Sequence, residues 1–392
     1  MSCRLNLPCL TLLCLLAPGL LAADTLSKAE LGATLFFDPG LSASGEQSCA
    51  TCHAPEHAFT DRRGRDIAAA VSLGGDGHSL GDRNAPTITY AAFVPDFHRQ
   101  PDGVYVGGLF WDGRARDLAE QAGGPPLNPI EMAMRDKRDV VRVLEDSAFY
   151  RASLKANYGE DVFDDTEQAY AAITDAIATF EREPEFATFD SRYDRALRGE
   201  IELTPEEELG RTLFFSEQFT NCNTCHQLRT SPTDPRETFS NYEYHNIGVP
   251  EHAALRGLNS KSGEHGFHDD GLAENPLLDA PDESLRGRFR TPSLRNVAVT
   301  GPYMHNGIFN DLRTVILFYN KYNSRAEKRQ INPETGERWR EPEVTANLSL
   351  VELEKGPALN DQRIDALLAF LRALTDERYE HLLEDDTTAA AE

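Results

Sequence analysis

"SCATCH", residues 48–53, sets Cys49, Cys52 and His53 in the order Cys-x-x-Cys-His, which is the attachment signature of a c-type haem. Cysteines three apart lie on one face of a helical turn. Both can then bond the haem vinyl groups while the adjacent histidine turns onto the iron. The pattern returns in "NCNTCH", residues 221–226, with Cys222, Cys225 and His226. A zinc ribbon would pair its Cys-x-x-Cys units about 15–20 residues apart. Here the units stand much farther apart, and a histidine follows each, so the expectation is two covalent haems.

The cysteine count agrees. Of seven cysteines, Cys3, Cys9 and Cys14 fall in the first stretch and the other four are those of the two motifs, so none remains for disulfides. That first stretch, "MSCRLNLPCLTLLCLLAPGLLAADT", has one positive charge at Arg4, an apolar run and small residues at Ala22 and Ala23. It reads as a secretory signal spanning 1–23. A membrane anchor is the alternative, but Pro18 and Gly19 break the run well short of a span of about 20 apolar residues. Covalent haem and export together point to the periplasm. Nothing later is long and apolar enough to span a bilayer, and a formal net charge of −25 argues against nucleic acid or anionic lipid as partner. The acidity also serves simply to keep a secreted protein in solution.

Matching segments precede the two motifs: "LSKAELGATLFF" at 26–37 and "LTPEEELGRTLFF" at 203–215. Each opens with a capping box, Ser27 with Glu30 and Thr204 with Glu207, and Pro205 takes the first helical turn, where its missing N–H costs nothing. Each is read as a short helix leading to its haem. Tyr170, Ile173, Ile177 and Phe180 share one side of a helix after Asp164, as do Leu312, Val315, Ile316 and Tyr319 farther on. A last helix over about 361–374 turns Ile364, Leu367, Leu368 and Leu371 inward. Residues 324–348 are polar and turn-rich and read as a surface flap. The expected fold is all-α, with two cytochrome-c-like haem domains at 24–200 and 201–392 joined by long loops.

Besides both haem motifs, "FWDGRARDLAEQAGGPPLNPIEM" at 110–132 and "TPSLRNVAVTGPYMHNG" at 291–307 resemble the bacterial di-haem cytochrome c peroxidase superfamily. "DLRTVILFYNKYN" at 311–323 is similar to its methylamine-utilisation branch, the MauG proteins. The resemblance extends over nearly all of the chain beyond the leader. It implies that ordinary peroxidases hold the second iron with histidine and methionine, whereas this branch uses histidine and tyrosine, here His226 and Tyr319. A phenolate is a hard anionic ligand that favours ferric and higher states. On spacing alone Tyr319 is a core tyrosine, and Met304 is the competing ligand.

For the first haem the resemblance implies His53 on one face and an open face for hydrogen peroxide. Glu131 would move the proton, with Gln121 beside it and Pro125 shaping the pocket. Asn128, Pro129 and Glu131 also fit a helix cap. Trp111 would relay electrons between the haems, or else be a core tryptophan. Asn84, Thr300 and Pro302 match a calcium site of hard oxygen donors.

The implied activity is peroxide-driven oxidation of tryptophans in a precursor of methylamine dehydrogenase, completing its tryptophan tryptophylquinone cofactor. The alternative is a peroxidase fed by a small redox protein, a cytochrome or cupredoxin. Two positions depart from the pattern. The branch keeps a surface tryptophan two residues before the second motif, where this chain has Thr220 preceded by Phe219. His78 lies near, but out of register with, a loop histidine that blocks the first iron in ordinary peroxidases, and it reads as a plain loop residue.

Overall fold

The computed structural model describes residues 25–64, 69–228, 233–261 and 266–383. The signal expected at 1–23 lies outside them. In chain order the helices are α1 (Lys28–Phe36), α2 (Cys49–Cys52), α3 (Leu118–Ala122), α4 (Lys137–Asp146), α5 (Ala148–Tyr158), α6 (Thr166–Phe180) and α7 (Arg192–Leu197). They continue as α8 (Pro205–Phe214), α9 (Ala253–Leu258), α10 (Leu312–Asn320), α11 (Leu350–Leu353) and α12 (Asp361–Arg372). Strands are confined to two antiparallel pairs of two residues each among the described residues, His98–Arg99 with Tyr105–Val106 and Tyr244–His245 with Phe289–Arg290. Among the described residues no helix is long and apolar enough to cross a membrane.

The sequence repeat becomes a structural repeat. Both capping boxes form, Ser27 with Glu30 on α1 and Thr204 with Glu207 on α8. Helix α1 then crosses α6, and α8 crosses α12, each crossing made at a glycine. A Cβ on Gly32 would lie 1.9 Å from the Ala176 carbonyl oxygen, and one on Gly210 would lie 1.9 Å from that of Ala366. Any larger residue would force the helices apart. Phe180 and Phe370, one helical turn beyond those alanines, close over the same glycines. Around the first pair lies a core containing Leu35, Phe36, Phe59, Ile173 and Phe186; around the second, one containing Phe214, Phe239, Leu367 and Phe370. Tyr193 and Leu197 of α7 pack into the second.

Polar contacts join the halves. Arg83 donates to Asp112 at 2.6 Å and to Asp269 at 2.6 Å, and the Tyr90 hydroxyl donates to Asp376 at 2.6 Å. Residues 324–348 form a flap that is pinned by its own tryptophan. Trp339 packs against Phe309 and Phe318, and its indole N–H donates to the Arg329 carbonyl at 2.9 Å.

Candidate active site and haem cavities

The two Cys-x-x-Cys-His motifs line two cavities. Cys49, Cys52 and His53 line one; Cys222, Cys225 and His226 line the other. In the first motif the cysteines span the single turn of α2, and in the second a 3-10 turn, Cys222–Thr224, serves the same purpose. The histidines are fixed in the same way in both halves. His53 Nδ1 stands 3.1 Å from the Phe59 carbonyl oxygen and His226 Nδ1 stands 3.1 Å from that of Phe239. With Nδ1–H donating to a carbonyl, Nε2 is the nitrogen left to bind a metal. Burial lowers the pKa of His53 and brings that of His226 down to about 4, which keeps both rings neutral and able to ligate. Burial also pushes the thiols of Cys49 and Cys225 up to about 12, so neither is a thiolate nucleophile at neutral pH.

The His53 cavity is also lined by Gln121 from α3, Pro125 and Glu131. Glu131 is not in a helix. Residues 129–132 form turns, so the helix-cap reading of Asn128 fails. Asn128 instead folds back as a side-chain turn, accepting from the Ile130 N–H at 3.2 Å, and its amide donates to Glu131 Oε1 at 2.9 Å. The Gly-rich loop "VSLGGDGHSLGDRNAPT" at 71–87 braces this turn, with the Gly75 N–H donating to the Glu131 carbonyl at 2.7 Å. Burial raises the pKa of the Glu131 carboxyl, against the opposing pull of Arg114 and the Asn128 hydrogen bond. A carboxyl held this way can pass a proton within the cavity.

Tyr319 lines the His226 cavity together with Leu312, Val315 and Ile316, so the face of α10 expected to be buried forms a cavity wall. Burial raises its phenol pKa. The hydroxyl makes no hydrogen bond with any described residue. Met304 lines the same cavity, on a backbone with φ of 72°.

Trp111 lines both cavities. Its indole N–H donates to the Asn84 carbonyl at 2.8 Å, while the Asn84 N–H donates to the His305 carbonyl at 2.7 Å. Asn84 is thereby tied to the loop that carries Thr300 and Pro302. Its side-chain amide donates to Ala70 at 3.1 Å, and its side-chain oxygen accepts from no described residue. His78 is exposed in a turn, its N–H donating to Asp76 at 2.9 Å. Thr220 is buried, its hydroxyl donating to the Leu213 carbonyl at 2.6 Å, and Phe219 beside it is 37% exposed.

Several residues at these cavities carry no signal in the sequence. Glu181, just past the end of α6, lines the His53 cavity, and burial pushes its pKa up to about 8. His245 and His305 line the His226 cavity, with the His305 ring stacked 3.6 Å from that of Phe289. Arg290 lines both. His305 stands in the quoted 291–307 segment but carries no role there; Glu181, His245 and Arg290 lie in no motif, and only the folding of distant loops brings them here.

The family model described as di-haem cytochrome c peroxidase matches residues 26–202. The chain is 52% identical to the methylamine utilization protein MauG of Paracoccus denitrificans over 390 residues, covering 98% of this chain and 99% of that protein. It is 34% identical to the cytochrome c peroxidase Ccp of Escherichia coli, over 71% of this chain and 50% of that one. Among solved structures it is similar to the diheme peroxidase BthA of Burkholderia thailandensis, with a TM-score of 0.77 and 33% identity over 90% of this chain and 86% of that one.

Proposed function

We infer the function from one premise: this chain belongs to the di-haem cytochrome c peroxidase family. It is an oxidoreductase carrying two haem groups. We read it as two haem domains, 24–200 and 201–392, exported to the periplasm. There it uses hydrogen peroxide to oxidise tryptophans of a precursor of methylamine dehydrogenase, completing the tryptophan tryptophylquinone cofactor.

The paired thiols and outward Nε2 of each motif fit a covalent haem c. Haem held there supplies the redox chemistry, accepting the oxidising equivalents that peroxide delivers. The chain's own part begins at Glu131. Its buried carboxyl, oriented by Asn128, takes a proton from one peroxide oxygen and returns it to the other, and Gln121 positions the peroxide. Trp111, common to both cavities, passes electrons between them. Asn84, Thr300 and Pro302 offer the oxygen donors that calcium prefers, and a calcium ion there would hold the Trp111 support in place.

The observation that carries the reading is the unbonded Tyr319 hydroxyl in the cavity of Cys222, Cys225 and His226. With a haem held there, Tyr319 and His226 would be the residues to hold its iron, and a phenolate donor would favour the oxidised state and let the second haem store oxidising power. The test is to add peroxide and immature methylamine dehydrogenase to the purified protein; quinone absorbance should grow, and its absence overturns the reading. Met304 on the same cavity wall favours a second reading. With its thioether on the iron, the protein would be a peroxidase drawing electrons from a small cytochrome or cupredoxin.

A further inference from the structure

Among the described residues, buried arginines are paired with carboxylates, with one exception. Arg295 donates to Asp194 at 2.5 and 2.9 Å, Arg83 bridges Asp112 and Asp269, and Arg256 lies 3.7 Å from Asp269 and 3.6 Å from Glu343. Arg290 is 9% exposed, yet its guanidinium has no hydrogen bond or ion pair with any described residue. Its guanidinium carbon stands 5.8 Å from the centre of the Tyr242 ring. Asp112 is close enough to favour its charged form but does not bond it, and leaving a buried charge without a bonded partner costs several kcal/mol, so the position calls for an anion that bonds the guanidinium directly.

The position of Arg290 says which anion. It pairs with Tyr244 in the short sheet, and its N–H donates to the Trp111 carbonyl at 2.8 Å. That register holds its side chain where the cavities of His53 and His226 meet, and it lines both. Each cavity fits a haem, and each haem carries two propionate carboxylates. A guanidinium presents a planar fork suited to carboxylates and stays charged throughout the usable pH range.

We propose that Arg290 is the shared propionate-binding residue of the two haems, pairing with carboxylates from both cavities beside Trp111. It acts as a positioning residue that also sets the redox balance. A fixed cation beside both haems disfavours their ferric states, so it raises both reduction potentials together. The proposal rests on the two-haem reading, and failure of that reading would appear separately as missing haem mass.

The test is spectroelectrochemical titration of the holoprotein. In Arg290→Gln, with both haems confirmed by intact mass, both midpoint potentials should fall. Arg290→Lys, which keeps the charge but not the fork, should lie between Arg290→Gln and the wild type. If Arg290→Gln does not fold, Arg290→Lys alone decides by the same downward shift in both haems. Potentials that match the wild type, or a shift confined to one haem, would overturn the proposal.

Discussion

The Nδ1 of His53 lies 3.1 Å from the carbonyl oxygen of Phe59, and His226 repeats this with Phe239 at the same distance. Both carbonyls come from phenylalanines in the left-handed region, with φ of 55° and 57°. That conformation costs about 1–3 kcal/mol for a residue other than glycine. The fold tolerates it twice because each phenylalanine ring is fixed in its own core. The backbone thus aims each imidazole before any haem chemistry begins. Replacing either histidine should leave both haems attached through the cysteines. With both His226 and Tyr319 holding its iron, the second haem should give a low-spin ferric signal in electron paramagnetic resonance and the first, with an open face, a high-spin one. His226→Ala should lose the low-spin signal. His53→Ala should keep that signal and stop reacting with peroxide. Haem loss from either variant would show that the histidines, rather than the thioethers, retain the group.

Gly32→Ala and Gly210→Ala should each destabilise the protein by at least 1–3 kcal/mol, roughly the cost of overpacking a close contact. Both place a methyl where a carbonyl oxygen already stands. Gly257→Ala on α9 meets nothing within 4 Å among the described residues, so it should be neutral or stabilise by up to about 1 kcal/mol. Thermal unfolding of the three holoproteins gives the comparison. Equal melting temperatures would mean that the helix crossings are looser than they look.

Those glycines also mark how far the sequence is legible. The repeat "LG-x-TLFF" and its capping boxes point to two equivalent helices, and the haem signatures to two equivalent sites, because both signals are local. The partners of Gly32 and Gly210 lie far along the chain, and no spacing rule finds them. Asn128 fails as a cap for a related reason. Asn-Pro-x-Glu suits a helix start, but the Gly-rich loop packs against residues 130 and 131 and holds them as a turn. The flap at 324–348 is polar in composition, and the contacts that attach it are dispersed: Trp339 packs on Phe309 and Phe318, Glu334 accepts from the Asn310 and Asp311 N–H groups, and Arg329 pairs with Asp361. Arg290 and Glu181 are legible only once the cavities exist.

Tyr319→Phe should change the low-spin ferric signal and leave the high-spin signal intact, since only the His226 cavity contains this phenol. A methionine-to-iron charge-transfer band in the wild type would assign the ligand to Met304.

Glu131→Gln should keep both haems and still bind small ligands, while its reaction with peroxide slows by about 10²–10⁴. In the wild type the carboxylate must be free to accept the first proton. Burial raises its pKa, so the rate should fall as the pH drops through that raised value, from a higher pH than an exposed glutamate would give. The dependence should vanish in Glu131→Gln. An unchanged rate in the variant would reduce Glu131 to a support for the Gly-rich loop.

The most direct measurement is stopped-flow spectroscopy of the fully ferric protein mixed with peroxide, because a tyrosine-held second haem needs no prior reduction. Both haem spectra should change together at once, and Trp111→Phe should separate the two changes in time. If the ferric protein stays inert until one haem is reduced and then turns over with a cytochrome c donor, the chain is a detoxifying peroxidase and the cofactor-maturing role is wrong.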